Sequence, residues 1–321
     1  MYPLNRPQRL RQNKAIRDLL QETVLTKNDF ILPIFIHEGI TQKQAIKSLP
    51  GVYQFSLDTV LAECEAAENA GIKAVMLFGI PVQKDPLAKE AYNPEGIMQK
   101  AIQLIKHNHP NLLVIADCCL CEYTDHGHCG IMTEKGLDND STVGFLNTIA
   151  SSYAQAGVDI IAPSGMMDGM VVNIRNALDS GGHTHIPILS YAVKFASSLY
   201  GPFREAAGSE QFTGNRQHHQ LNPAQKKEAL NEALLDIQEG ADMLMVKPAT
   251  LYTDIISTLS QTSTLPIAAY HVSGEYAMIK AAAQNGWIDE YKTFEETYIS
   301  LKRAGATLMV SYYAKEMASS L

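Results

Sequence analysis

The chain of 321 residues is predicted to be an α/β protein, a (β/α)8 barrel preceded by an N-terminal extension arm. Three observations carry that expectation. Eight short, nearly continuous apolar runs recur along the chain, the pattern of strands buried on both faces of a parallel sheet. Amphipathic segments separate them. Four of those segments close on a glycine that feeds a strand, at Ala70-Gly71-Ile72, Ala156-Gly157-Val158, Glu239-Gly240-Ala241 and Ala304-Gly305-Ala306. No glycine-rich dinucleotide fingerprint follows the first run, which favours a closed barrel over an open nucleotide-binding sheet.

In chain order, residues 1–29 lie outside the pattern and form the arm. They are basic: Arg6, Arg9, Arg11, Lys14 and Arg17 all precede the first acid, Asp18. Such a stretch is either a solvated tail or an arm that docks on an acidic neighbour. Residues 30–321 form one catalytic domain, since no linker divides them. Strands are expected at 30–36, 74–80, 112–116, 159–163, 186–190, 241–246, 266–270 and 307–310. Asn93-Pro94 and Asn222-Pro223 each place a capping residue before a proline suited to the first helical position. After Pro94, the residues Ile97, Met98, Ala101, Ile102 and Ile105 form one apolar stripe at helical spacing. The stretch from Gly201 to Gln220 is too long for an ordinary barrel connection and reads as a lid or binding loop.

Composition narrows the function classes. A formal charge of −8 argues against nucleic acid as the main partner. No apolar run approaches the roughly 18 residues of a membrane span, and no N-terminal segment has the pattern of a signal peptide. Five cysteines with no disulfide framework suit a reducing, cytoplasmic compartment.

A barrel gathers its reactive groups just past the C-terminal ends of its strands, and here polar residues recur at those places. After the third run come Asp117-Cys118-Cys119-Leu120-Cys121-Glu122, with His126, His128 and Cys129 close behind. Soft thiolates at this density suit Zn²⁺, and Cys-x-Cys with a third thiol eight residues on leaves a coordination position open. Redox-active thiols, or small apolar residues at a strand end, are the alternatives. Lys194 and Lys247 end the fifth and sixth strands. Lysine is rarely buried without a use. Desolvation and a second ammonium nearby both disfavour the charged form, so one of the pair can be a free amine able to form a Schiff base. A salt bridge to Asp117 or Glu275 is the alternative. Arg204 and Arg216 would give the lid two carboxylate clamps.

Taken together, several motifs resemble the porphobilinogen synthase (5-aminolevulinate dehydratase) family. They are Cys119-Leu120-Cys121 with Tyr123-Thr124 and His126-Gly127-His128-Cys129-Gly130; Lys194-Phe195-Ala196-Ser197 with Tyr200-Gly201-Pro202-Phe203-Arg204; Met245-Val246-Lys247-Pro248; and Tyr270-His271-Val272-Ser273-Gly274-Glu275. The resemblance implies condensation of two 5-aminolevulinate molecules to porphobilinogen, on the route to haem. By it, Lys247 forms the Schiff base and Lys194 assists. Cys119, Cys121 and Cys129 would hold a catalytic Zn²⁺ that polarises a carbonyl or supplies a base. Arg204, Arg216 and Gln220 would bind the second substrate's carboxylate, and Ser273 with Tyr312 that of the first. Asp117 and Ser164 would orient the imine and the amino group. Glu232 occupies the position of an allosteric Mg²⁺ ligand, and the arm would embrace a neighbour in a homo-octamer. The chain departs from the family pattern at Gly165, Met170, Ala88-Lys89 and Cys118, none of which is assigned to chemistry.

Overall fold

A computed structural model describes residues 4–209 and 216–321. Its eight parallel strands run Phe30–His37, Ala74–Ile80, Leu113–Cys118, Ile160–Pro163, Leu189–Lys194, Met243–Lys247, Ile267–His271 and Leu308–Ser311, first to eighth. They are hydrogen-bonded in the order fourth, third, second, first, eighth, seventh, sixth, fifth. A parallel bridge from Ile161 to Ile188 joins fourth to fifth and closes the ring. The expected barrel is present.

Helices pack outside the strands. Helix Ile97–Asn108 buries the predicted stripe, Ile97, Met98, Ala101, Ile102 and Ile105. Helices Leu57–Ala70, Asn139–Ala156, Lys226–Glu239 and Glu290–Ala304 stop where Gly71, Gly157, Gly240 and Gly305 turn left-handed, with φ between 93° and 116°. An L side chain pays a steric penalty there, so the glycines end the helices. Ala88, by contrast, holds φ 51° with a side chain, a conformation that would suit glycine better.

Three local expectations are corrected. Asn93 and Asn222 do not cap the helices after them: their side chains accept from the backbone N–H of Glu95 and Ala224, each at 3.0 Å, two residues on. These are local turns, and the helices begin later, at Ile97 and Lys226. The fifth strand lies further along than residues 186–190. Ser190 does not end it, because its hydroxyl donates to buried Asp236 at 2.5 Å, and pairing with the sixth strand continues to Lys194. Two small hairpins were not expected, Gln44–Ala45 with Tyr53–Phe55 and Ile131–Thr133 with Gly136–Asp138. Of the long stretch after the fifth strand, Gly201–Ala206 is helical; its centre, residues 210–215, lies outside the described residues.

Aromatic side chains fill the barrel below its mouth. Tyr191 donates to the Met76 sulfur at 3.3 Å, and the Tyr270 and Tyr312 hydroxyls meet at 3.4 Å. Phe35 packs between Phe78 and Tyr312. The arm is built differently. It has a 3-10 turn, Pro7–Arg11, and a helix, Lys14–Leu19, neither with a buried residue. Leu4, Leu10, Leu19, Leu20 and Val24 are exposed, and Leu25 is the first buried side chain among the described residues. The barrel proper starts where Asp29 takes an ion pair from Lys302 at 2.5 Å. No helix among the described residues is long and apolar enough to cross a membrane.

Helix Ser273–Gln284 touches the turn Ser198–Tyr200 at Gly274, where an added Cβ would stand 2.5 Å from the Leu199 carbonyl oxygen. Backbone cannot yield as a side-chain tip can. Gly274→Ala should therefore cost about 1–3 kcal/mol, read as a lower urea midpoint with unchanged slope. A midpoint within error of wild type would mean that the two segments separate freely.

Candidate active site

Parallel pairing sets the two lysines side by side. In the register between the fifth and sixth strands, Lys247 stands opposite Lys194, and each is only 5% exposed. The Lys194 Nζ donates to the Ser164 carbonyl at 2.6 Å, and the Ser164 hydroxyl donates to Asp117 Oδ2 at 3.2 Å. Lys247 is enclosed by rings. Its Nζ lies 4.1 Å from the Tyr270 centroid, 5.0 Å from Tyr191, 5.1 Å from Phe203 and 5.6 Å from Tyr200. The Tyr200 hydroxyl donates to the Lys247 carbonyl at 3.2 Å and so steadies the backbone that carries the amine.

These surroundings separate the lysines electrostatically. Burial, then the neighbouring Lys194 charge, bring Lys247 down to about 7 from 10.5, although Asp117 opposes them. That corresponds to about 5 kcal/mol against the ammonium. The aromatic faces attract a cation by about 0.5–2 kcal/mol each and so work against that shift. Above about 7 Lys247 is mostly a nucleophile, and below it mostly an ammonium. Burial also disfavours the Lys194 ammonium, but the sulfurs of Cys129, Cys119 and Cys121 outweigh it and hold Lys194 above its ordinary value. Burial and Glu122 together push the Asp117 carboxyl up to about 7, against the pull of Lys247 and Lys194. Glu275, the other salt-bridge candidate, accepts instead from the N–H groups of Val272 and Thr250 and from the Thr250 hydroxyl. No ion pair to either lysine occurs among the described residues.

The thiols lie beside the lysines, with Cys121 lining the same cavity. Cys119, Cys121 and Cys129 are buried and free, and their sulfurs lie within 4.8 Å of one another, with Cys119 and Cys121 at 3.3 Å. A tetrahedral ion with bonds of about 2.3 Å to sulfur needs sulfurs about 3.8 Å apart, so the trio fits Zn²⁺. Hydrogen bonds from Cys119 and Cys121 bring the Cys129 thiol well below its ordinary value, with Arg216 and Lys194 adding to the effect. Cys118 turns away: its thiol points to the Leu146 carbonyl at 3.7 Å, and burial raises it.

One cavity joins Lys194, Lys247, Asp117, Ser164, Cys121 and Glu122. Arg204 and Arg216 line both it and an adjoining hollow that holds Gln220. Arg216 also donates to the Gly127 carbonyl at 2.8 Å, tying the lid to the cysteine loop. Ser273 and Tyr312 do not line this cavity. The Ser273 hydroxyl accepts from the Phe203 N–H at 3.0 Å and donates to the Leu199 carbonyl, while Tyr312 reaches Tyr270. Glu232 lies in a separate hollow with Asp168 and Glu228, which shares Gln217 and Gln220 with the one beside the cavity. The sequence pattern assigns no role to Tyr191, Tyr200, Phe203 or Glu122. An acid following directly on Cys121 was the one available signal; the rings looked like ordinary core.

Reactive amines and thiols at the mouth of a (β/α)8 barrel define an enzyme site of the kind that handles carbonyl compounds. The comparisons carry this further. A family model described as delta-aminolevulinic acid dehydratase matches residues 4–320. The chain is 52% identical over 313 residues to the delta-aminolevulinic acid dehydratase of Halalkalibacterium halodurans, covering 98% of this chain and 95% of that one. It is 51% identical over 314 residues to that of Bacillus subtilis, covering 98% and 97%. The crystal structure of delta-aminolevulinic acid dehydratase (porphobilinogen synthase) from Toxoplasma gondii ME49, in complex with the reaction product porphobilinogen, superposes with a TM-score of 0.97. It is 43% identical and covers 99% of this chain and 92% of that one. The chain belongs to the delta-aminolevulinic acid dehydratase family and is a lyase.

The sulfur geometry makes a prediction about metal content. Ser at Cys119, Cys121 or Cys129 should each lower bound zinc sharply, while Ser at Cys118 should leave it unchanged, measured by elemental analysis of purified protein. Equal losses at all four positions would mean a closed four-thiolate site.

Proposed function

We propose that this chain condenses two molecules of 5-aminolevulinate to porphobilinogen with release of two waters. The observation that carries the reading is Lys247: a buried amine, near 7, beside a second lysine and in one cavity with Cys121 of the thiol trio. Its amine would attack the ketone of the first substrate, forming an imine and releasing the first water. Lys194 would hold the positive charge that keeps Lys247 neutral and would stand ready to give a proton to the departing oxygen. Asp117 and Ser164, already hydrogen-bonded to each other, would orient the imine and the amino group. Arg204, Arg216 and Gln220 would hold the second substrate's carboxylate, and Ser273 with Tyr312, which stand outside the cavity beside the Phe203 backbone and Tyr270, would hold that of the first. A zinc ion on Cys119, Cys121 and Cys129 would supply a Lewis acid for the second substrate's carbonyl. One carbon–carbon and one carbon–nitrogen bond then close the ring, the second water leaves, and Lys247 returns as the free amine.

The proposal extends to assembly. The exposed leucines of the arm suit a neighbouring subunit better than solvent, in keeping with a homo-octamer. Glu232, with Asp168 and Glu228 beside it, would take a Mg²⁺ that favours the large form. Arm, barrel and site would work in the cytoplasm.

Turnover of 5-aminolevulinate, read by a pyrrole-specific colour reaction before and after chelation, tests the reaction. Wild type should make product and lose activity on chelation, and Lys247→Met should abolish turnover and borohydride-trapped adduct together. An adduct persisting on Lys194 would reassign the nucleophile. Deleting the arm should reduce a large assembly to smaller species by sedimentation; a truncated chain of unchanged mass and activity would make the arm a solvated tail.

A further inference from the structure

Glu122 has no part in the chemistry derived so far, yet it lies in the same cavity as the two lysines. It is 2% exposed. One carboxylate oxygen, Oε2, lies 3.2 Å from the Cys121 sulfur. The other, Oε1, is buried and accepts no hydrogen bond among the described residues. Across the cavity Asp117, 6% exposed, has the same arrangement, with Oδ2 on Ser164 and Oδ1 buried without a partner. Burying carboxylate oxygens that accept nothing is costly unless a donor arrives. A carboxylate oxygen of Asp117 and one of Glu122 lie within 4.8 Å of each other, with the Cys119 sulfur equally near.

Oxygens within that limit can share one tetrahedral ammonium at about 2.8 Å each, and the charges around the cavity decide between ligands. A second divalent ion fits less well, since the cavity already holds Lys194 and Lys247 and would place that ion beside a zinc on Cys119. The geometry points to Glu122 as the residue that, with Asp117 opposite, receives the primary ammonium of the second 5-aminolevulinate. This rests on the proposed reaction and adds to it a basis for choosing an amino ketone over a plain keto acid. Arg204 and Arg216 would grip the carboxylate end of that molecule and Glu122 the amino end, so its ketone would be fixed between them.

The test compares wild type with Glu122→Gln, which keeps the shape and removes the charge. Three quantities are read on the full-length enzyme: zinc per chain, kcat and KM for 5-aminolevulinate, and borohydride-trapped adduct at Lys247 with levulinate, the same keto acid without the amino group. Zinc and the levulinate adduct should be unchanged, while KM for 5-aminolevulinate should rise roughly 10- to 100-fold, the loss of one charged hydrogen bond. Glu122→Asp, which keeps the charge but draws it back, should show a smaller rise and serves the same comparison if the glutamine variant does not fold. An unchanged KM would overturn the assignment, and so would zinc lost in step with activity, which would make Glu122 a support of the metal site. A second metal ion per chain, present in wild type and absent from Glu122→Gln, would also overturn it. Wild type that forms no Lys247 adduct with either ketone would sink the proposed reaction and this assignment with it; wild type that turns over while Glu122→Gln matches it sinks this assignment alone.

Discussion

The structure is organised around keeping one primary amine uncharged in a protein interior. An ammonium at Lys247 would stand beside Lys194 with little water to screen it. Strand pairing enforces that closeness, because the fifth and sixth strands are neighbours in the barrel and end in register. The rings of Tyr270, Tyr191, Phe203 and Tyr200 exclude water while giving back only part of the cation's lost hydration. The barrel floor and the segment bearing Tyr200 and Phe203 thus belong to the chemistry as well as to the core.

A second constraint follows from the first: the like charge that suppresses the Lys247 ammonium must itself be kept in place. Lys194 is held by the Ser164 carbonyl and by the field of the cysteine sulfurs. The thiol cluster therefore stands to serve twice, as a soft-metal site and as a counter-charge that fixes which lysine is neutral. Arg216 donates to the Gly127 carbonyl beside it, and Arg204, Arg216, Cys121 and both lysines share one cavity. The arm stands apart from this, with its leucines facing outward and its link to the barrel beginning only at Leu25 and Asp29.

Much of this was legible in the sequence, for identifiable reasons. Both faces of each barrel strand are buried, so the strands read as apolar runs, and the glycines that end four helices sit where only a left-handed residue fits. The apolar run 186–190 marks only the start of the fifth strand, because Ser190 finds its partner in Asp236, which no local pattern reveals, while the strand ends at Lys194 as expected. The two asparagine–proline pairs carried a capping signal that the chain spends on turns upstream of the helices. At the site, lysines at strand ends and clustered thiols were visible because those residue types are unusual in such places. Tyr191, Tyr200 and Phe203 were not, since an aromatic ring around an amine looks, in one dimension, like any other core residue. Whether Ser273 faces the cavity could not be read either, because it depends on how the Phe203 backbone meets it.

The central claim is that Lys247 is a free amine near neutral pH, and a direct measurement of its titration tests it. Borohydride trapping of the 5-aminolevulinate adduct, quantified at Lys247 by mass spectrometry as a function of pH, should rise through a midpoint near 7 and level off above it. A midpoint near the ordinary value of 10.5, or an adduct that forms on another lysine across the whole range, would contradict the account.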